Sequence, residues 1–177
     1  MYSKRARLSS LREVKSKETK QEEIKEEKEK GFRLSPAQVK NNFKKFNNSL
    51  GDQKLKISNE KSEKGEINTD MFCTSEHVCY IITSSPKTGK ITGITMIGSG
   101  DGSTQSVFNI IMGVGGIISM TDVDISKEDR GNVLTGLKLT DDSQSDLKKS
   151  RDLVYKNVKY SWTFSDQIGV MLSAYPQ

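Results

Sequence analysis

Residues 107–120 constrain the fold most, because they are almost wholly apolar and follow a polar, glycine-rich stretch. The run is shorter than the roughly 20 residues that span a bilayer, so we predict a helix buried inside a domain and no transmembrane segment. Ser103 or Thr104 can cap its start. Three glycines inside it each cost about 1 kcal/mol of helix propensity relative to alanine, and we expect the close approach of another backbone to compensate. They are Gly113, Gly115 and Gly116.

Segments on both sides of this helix show the alternation of apolar and polar residues that is typical of β-strands. Leu55 and Ile57 alternate with lysines and indicate the first strand. The further predicted strands are residues 66–73, 78–84, 90–98, 158–164 and 168–175. Because residues 90–98 carry apolar side chains on both faces, we expect a central strand that is covered on both sides, or partly so.

Capping residues indicate two more helices. Residues 35–50 begin with Ser35 as N-cap and Pro36 at the first helical position, and their apolar residues recur every three or four positions. Another helix begins at Ser126. Helices packed on one face of an antiparallel sheet make an α+β domain. We predict an antiparallel meander of about five strands, with an N-terminal amphipathic helix and a buried central helix packed on it.

The first 31 residues differ in composition from the rest of the chain. Between residues 15 and 30 nearly every residue is Lys, Glu, Gln, Ser or Thr. Such a segment cannot bury enough apolar area to offset its chain entropy. We therefore predict a charged tether, disordered or helical, over residues 1–31 and a single domain over residues 32–177. We also expect a mobile polar loop over residues 140–150.

The charge and the scarcity of reactive side chains exclude several function classes. The net charge is +5, but much of the basic excess lies in the tether. The folded part therefore lacks the concentrated basic face of a typical nucleic-acid-binding protein. A single histidine and two cysteines argue against a His-based metal site, a structural zinc site or a catalytic triad. We predict no catalytic residues, no metal and no cofactor.

The two cysteines, Cys73 and Cys79, flank a predicted turn between two strands. Cysteines that face each other near the end of a hairpin can approach the distance of a disulfide bond. A disulfide and a pair of inert thiols are both compatible with this position. The disulfide would imply an oxidising compartment. Catalysis by a Cys–His pair with His77 is disfavoured, since no residue that could orient the imidazole is evident in the sequence.

A glycine-rich loop precedes the apolar helix and consists of Gly98, Ser99, Gly100, Asp101 and Gly102. Backbone amides at the start of a helix can hold an anion, so this loop is a candidate ligand site. The glycine spacing is not that of a dinucleotide-binding loop, and no phosphate-binding lysine follows. Asp101 would also repel a phosphate. We therefore favour a tight structural corner over a ligand loop.

Alternation also accounts for the aromatic residues near the end of the chain. Tyr160, Trp162 and Phe164 fall on one face of a strand together with Val158. Aromatic side chains in a row can stack on nucleic-acid bases. Their spacing favours a position in the core instead.

Three segments carry a resemblance to a known group of proteins: residues 97–102, residues 128–134 and residues 157–161. Over residues 33–177 the chain is similar to small uncharacterised bacterial envelope proteins. Those proteins are usually exported or lipid-anchored, with helix-on-sheet domains of the cystatin or NTF2-like sort. The resemblance implies a lipoprotein-like protein of the cell envelope or periplasm and no functional residue. The sequence from Met1 shows no export signal, which taken literally predicts the cytoplasm.

These observations favour a non-enzymatic domain of the cell envelope that binds another protein. One alternative is a cytoplasmic binding module whose basic tail contacts nucleic acid, although we expect nucleic acid to be an unlikely partner. Another is a carrier of small apolar ligands, with a cavity between the sheet and the helix at residues 107–120.

Overall fold

Seven antiparallel strands form one sheet in the computed structural model, which describes residues 30–122, 124–140 and 148–177. In chain order they are β1 (Ser58–Glu63), β2 (Asn68–Ser75), β3 (Val78–Ser84), β4 (Ile91–Gly98), β5 (Arg151–Tyr155), β6 (Val158–Ser165) and β7 (Gly169–Pro176). Their order across the sheet is β1-β2-β3-β4-β7-β6-β5. The α+β class is confirmed, and the number of strands is higher than the predicted five or so.

The two additional strands are the edges of the sheet. β1 is polar along its whole length, so it has no apolar alternation to reveal it. β5 is only five residues long and directly follows the polar loop. The prediction of a strand at Leu55 and Ile57 was wrong, because the regular strand begins at Ser58. All but the last two residues of the predicted tether at 1–31, and most of the predicted loop at 140–150, lie outside the described residues.

The sheet is not a single meander. Strands β1 to β4 follow one another in space, but β4 pairs with β7 rather than with β5. Beyond β4, the strands therefore lie in the reverse of their chain order: β7 comes first, then β6, and β5 is at the far edge. The helical segment between β4 and β5 makes this possible, because it carries the chain across the sheet before the last three strands begin.

Three α-helices are described, and each begins where its capping residue predicts: α1 (Pro36–Ser49), α2 (Thr104–Thr121) and α3 (Lys127–Gly136). A 3-10 turn, Gly51–Gln53, follows α1. Ser35 caps α1 by accepting a hydrogen bond from the Gln38 backbone N–H. Ser103 and Ser126 cap α2 and α3 in the same way. All three helices pack on the same side of the sheet, which we call the covered face.

The covered face is built from large side chains that point toward the helices. One row across the sheet contains Phe72, Tyr80, Met96, Leu172 and Trp162, and all five are buried. Phe43 of α1 packs against the first two of these residues, with ring centroids 5.1 and 5.2 Å away. This aromatic cluster fixes α1 on the sheet.

The glycines of α2 let the helix lie directly on these side chains. A Cβ atom at Gly113 would lie 2.8 Å from the Met96 sulfur, and one at Gly116 would lie 2.6 Å from the Tyr80 hydroxyl. The close neighbours are therefore side chains, not the backbone that the sequence led us to expect. Because Tyr80 and Met96 fill the space beneath the glycines, the structure gives no support to a ligand cavity at this point.

Candidate interaction face

The opposite side of the sheet carries no helix within the described ranges, and we call it the open face. Its residues alternate with those of the covered face. On the four central strands they are Thr69, Met71 and Cys73 of β2, Cys79, Ile81 and Thr83 of β3, Thr95 and Ile97 of β4, and Met171, Ser173 and Tyr175 of β7. The strand at residues 90–98, which was expected to be covered on both sides or partly so, is β4, and the described helices cover it on one side only.

The centre of the open face is apolar and uncharged. Met71 lies opposite Ile81, and Ile97 lies opposite Met171. All four side chains are partly exposed, whereas most of their neighbours on the covered face are buried. None of the open-face residues of the four central strands has a charged side chain. A flat, uncharged surface of this kind is suited to contact with another macromolecule.

Hydroxyl groups surround the apolar centre and bond to one another across strands. Thr95 of β4 and Ser173 of β7 share a hydrogen bond of 2.9 Å. Thr92 donates to the Thr83 hydroxyl oxygen at 3.1 Å. Because these groups satisfy one another, a partner could cover them at a lower desolvation cost than unpaired polar groups would impose.

Charged residues of the open face occur only on its outer strands. On the β5–β6 side, the Lys159 ammonium lies 2.7 Å from the Asp152 carboxylate, which also accepts a hydrogen bond of 2.6 Å from Ser161. These contacts, with Lys159 first, lower the pKa of Asp152. On the other side, Lys61 of β1 lies opposite Met71. The open face thus has an apolar centre and a polar rim, which is the usual anatomy of a protein interface.

The cysteine pair lies within this face. Cys73 and Cys79 are directly opposite each other on β2 and β3, and their sulfur atoms are 2.05 Å apart, at the distance of a disulfide bond. The sequence left open a disulfide or a pair of inert thiols, and the structure places the two sulfur atoms at the distance of a disulfide. The bond also occupies both sulfur atoms, so neither thiol is available to His77.

The glycine-rich loop satisfies its own helix terminus. The Asp101 carboxylate accepts a hydrogen bond of 2.9 Å from the Ser103 backbone N–H, and Ser103 in turn caps α2. Hydrogen bonds from Ser103, followed by one from Ser106, hold the pKa of Asp101 well below its usual range. The chain itself therefore supplies the negative charge that a bound anion would supply at this terminus.

The other residues of that loop have structural positions. Gly98 ends β4, and a Cβ atom there would lie 2.8 Å from the Val170 side chain. Ser99 donates its backbone N–H to the His77 carbonyl oxygen at 2.8 Å, and Gly100 follows it. Gly102 has a φ of +83°, which glycine adopts without strain. The His77 imidazole lies 3.8 Å from the Asp101 carboxylate, so it faces the same corner.

A polar cluster that the sequence did not reveal joins α3 to the β5–β6 hairpin. The Asp129 carboxylate accepts hydrogen bonds from the Lys156 ammonium at 2.7 Å, the Tyr155 hydroxyl at 2.5 Å and the Ser126 hydroxyl at 2.8 Å. The contact with Lys156, then those with Tyr155 and Ser126, lowers the pKa of Asp129 well below its usual range. Since all three donors are already engaged, the cluster is a structural link rather than a set of groups ready for catalysis.

Two of the three aromatic residues near the end of the chain belong to the core. Tyr160 and Trp162 of β6 are buried on the covered face, and Phe164 is partly buried on the same side. The Tyr160 hydroxyl shares a hydrogen bond of 2.9 Å with Thr121 of α2. Burial raises the pKa of Tyr160 to about 12. Tyr160 and Trp162 are thus not exposed for base stacking.

One described helix, α2, is long and apolar enough to cross a membrane, but half of it is buried inside the domain, as in the core helix of a globular protein. The described residues therefore contain no clear membrane span. Comparisons with protein-family models, curated proteins and solved structures found no match for this chain.

Proposed function

We propose that this domain is a non-enzymatic interaction module that binds another protein through the open face. The observation that carries the proposal is the continuous uncharged surface of β2, β3, β4 and β7, from which all three described helices are absent. The polar clusters at Asp101, Asp129 and Asp152 are engaged in internal hydrogen bonds, which supports a binding role over a catalytic one.

The size of the open face fits a partner protein. Seven strands about 4.8 Å apart, each of five to eight residues that rise about 3.4 Å, give a surface of roughly 800 Å². Stable protein–protein interfaces bury about 800 Å² on each partner. A partner that covers most of this face would therefore form an interface of ordinary size.

We further propose that the protein works in the cell envelope. The cysteine pair at disulfide distance supports this compartment, because disulfides persist where thiols are not kept reduced. The resemblance to envelope proteins points the same way. The test is alkylation of protein from its native host without reductant, followed by intact mass measurement. Blocked cysteines and a mass lower by the two thiol hydrogens would support the proposal, and two alkylated cysteines would overturn it.

The binding role can be tested by photo-crosslinking in the native host. A photoreactive amino acid at position 97 lies at the centre of the open face, and one at position 111 serves as the control. Ile111 is also apolar and is 57% exposed, but it lies on α2 on the other side of the sheet. We expect a discrete protein adduct from position 97 and none from position 111.

A second substitution shows whether the adduct depends on the face itself. Thr95→Arg places a charge beside Ile97 on the open face and should abolish the adduct at position 97. The melting temperature should fall only slightly, because Thr95 is partly exposed and loses one hydrogen bond, the one with Ser173. No adduct at position 97, or the same adduct from positions 97 and 111, would contradict the proposed interface.

A further inference from the structure

A groove on the helix side of the molecule, away from the open face, has the features of a second binding site. It lies between residues 52–56, which follow α1, and the first turns of α2. Its volume is about 790 Å³. Ligand sites commonly have roughly 300–1,000 Å³. No sequence motif predicts a binding site at these residues.

A buried side chain fixes one wall of the groove. Asn47 of α1 donates from its side-chain nitrogen to the Leu55 carbonyl oxygen at 2.9 Å and accepts from the Leu55 backbone N–H at 2.7 Å. The Leu55 side chain packs against the core. Lys54 and Lys56, on either side of it, are exposed and line the groove. The position of both lysines therefore depends on a segment that is held in place without being part of a strand.

The groove combines cationic, amide and apolar groups with a single carboxylate, that of Asp52, so its two lysines leave the lining with a net positive charge. Neither Lys54 nor Lys56 has an ion-pair partner within the described part of the chain, so both ammonium groups can bind a carboxylate. On the α2 side, Gln105 donates to the Asn109 side-chain oxygen at 3.0 Å, which leaves the Asn109 amide nitrogen and the Gln105 oxygen for a ligand. Phe108 adds an apolar surface between them.

The floor of the groove includes an incompletely bonded hydroxyl. Thr74 is 4% exposed, and among the described residues its hydroxyl oxygen has no hydrogen-bond partner of ordinary geometry. Burial raises the pKa of Tyr80, and the nearby Thr74 hydroxyl offsets part of that rise. Thr74 is thus close to Tyr80 but keeps unused hydrogen-bonding capacity beside the groove.

We propose that this groove binds an oligosaccharide that carries carboxylate groups. The two lysines would pair with the carboxylates, while the amides of Gln105 and Asn109 would bond to neighbouring hydroxyls, for which they offer both a donor and an acceptor. An extended peptide is a poorer fit. Both backbone groups of Leu55 are already bonded to Asn47, so this wall cannot extend a strand with a peptide at that residue.

Calorimetric titration of the full chain with tri-galacturonic acid tests this proposal. The neutral galactose trisaccharide and hexaglutamate are titrated in parallel. We expect binding of tri-galacturonic acid and at least tenfold weaker binding of the other two. The double variant Lys54→Gln/Lys56→Gln should weaken binding by about tenfold or more, as expected for the loss of charge-assisted hydrogen bonds.

The matched control is Lys64→Gln/Lys87→Gln, which removes the same charge from turns at the other end of β2 and β3. It should leave the affinity within about twofold, the change expected from screened distant charges. The absence of binding to tri-galacturonic acid, equal affinity for the neutral trisaccharide, equal or stronger binding of hexaglutamate, or an equal loss in the control would each overturn the proposal. Because the groove is separate from the open face, crosslinking at position 97 succeeds or fails independently.

Discussion

The two faces of the sheet are made by the same strands but from different side chains. In β3, Tyr80 and Ile82 point to the covered face and are almost fully buried, while Ile81 between them points to the open face and is partly exposed. The covered face is filled by aromatic and large aliphatic residues. The open face combines Met and Ile side chains with hydroxyl groups. This difference shows that the strand pattern specifies one tightly packed layer and one surface that remains available for contact.

The difference also explains how each face is held together. On the covered face, α1 and α2 press directly on the strands, with glycines at the points of closest approach. On the open face no described helix contributes, and the cross-strand links are hydroxyl pairs and the Cys73–Cys79 contact. Stability should therefore depend on packing for one face and on local cross-links for the other.

Truncation of one residue on each face should give the largest contrast. Phe43 is fully buried between Phe72 and Tyr80, so Phe43→Ala should lower the free energy of unfolding by about 3–5 kcal/mol. Ile81→Ala on the open face should cost about 1 kcal/mol or less, since the side chain is already partly in water. Urea unfolding of both variants measures this. Equal losses would mean that the open face is covered in solution.

Removal of the cross-strand disulfide should have the next largest effect. The cysteines are six positions apart, and closing a loop of that size stabilises a protein by about 2 kcal/mol in the chain-entropy description. The variant Cys73→Ala/Cys79→Ala should therefore lose about that amount, measured by urea unfolding. A reductant should lower the stability of the wild type toward that of the variant. If reductant has no effect on the wild type, the two thiols are not bonded in solution.

Adding a methyl group to α2 should show how closely the helix approaches the sheet. A Cβ atom at Gly116 would lie 2.6 Å from the Tyr80 hydroxyl and 2.9 Å from the Phe43 ring. Gly116→Ala should thus destabilise the domain by about 1 kcal/mol, because overpacking outweighs the gain in helix propensity.

The matched control for Gly116→Ala is in α3. At Gly131 a Cβ atom would meet nothing within 4 Å, so Gly131→Ala should stabilise the domain by about 0.5–1 kcal/mol. Thermal unfolding should show a lower melting temperature for Gly116→Ala and a higher one for Gly131→Ala. Stabilisation by Gly116→Ala would show that α2 lies farther from Tyr80.

The sequence predicts the covered face better than the edges of the sheet. Ser35, Ser103 and Ser126 act as helix caps as predicted, because capping depends on a few neighbouring residues. The polar edge strand β1 has no signal of its own and forms only because β2 offers it hydrogen-bond partners. The pairing of β4 with β7 is equally hidden, since it joins residues that are far apart in the chain.

The candidate sites also differ in how far the sequence predicts them. The facing positions of Cys73 and Cys79 could be inferred from the turn between them. The groove could not, because its walls come from residues 52–56 and from α2, and Asn47 brings a non-regular segment into place through contacts that no local pattern records. Likewise, the Asp129 cluster depends on a hairpin that follows α3 in the chain by some twenty residues.

Two aspartates with similar partners, one on each side of the sheet, should show the smallest difference in stability between the two faces. Asp129 joins α3 to the hairpin and has a side chain that is 19% exposed, whereas Asp152 pairs within the hairpin and is 55% exposed. The pKa of each carboxyl is lowered, chiefly by Lys156 and Lys159 respectively. A lowered pKa means that the stabilisation is complete above the pKa of the unfolded chain, near pH 4, and is lost as the pH falls through the value in the folded state.

We therefore expect Asp129→Asn to reduce stability at pH 7 more than Asp152→Asn does. Asp129 connects two elements, while the strands joined by Asp152 are already paired through their backbones. The deficit of Asp129→Asn should shrink as the pH falls below about 4, because Asp129 of the wild type then takes up a proton in the unfolded chain while its carboxylate in the folded state is still ionised. Urea unfolding between pH 7 and pH 3 follows both variants. A deficit that stays constant over this range would mean that the ionised carboxylate of Asp129 does not hold α3 against the hairpin.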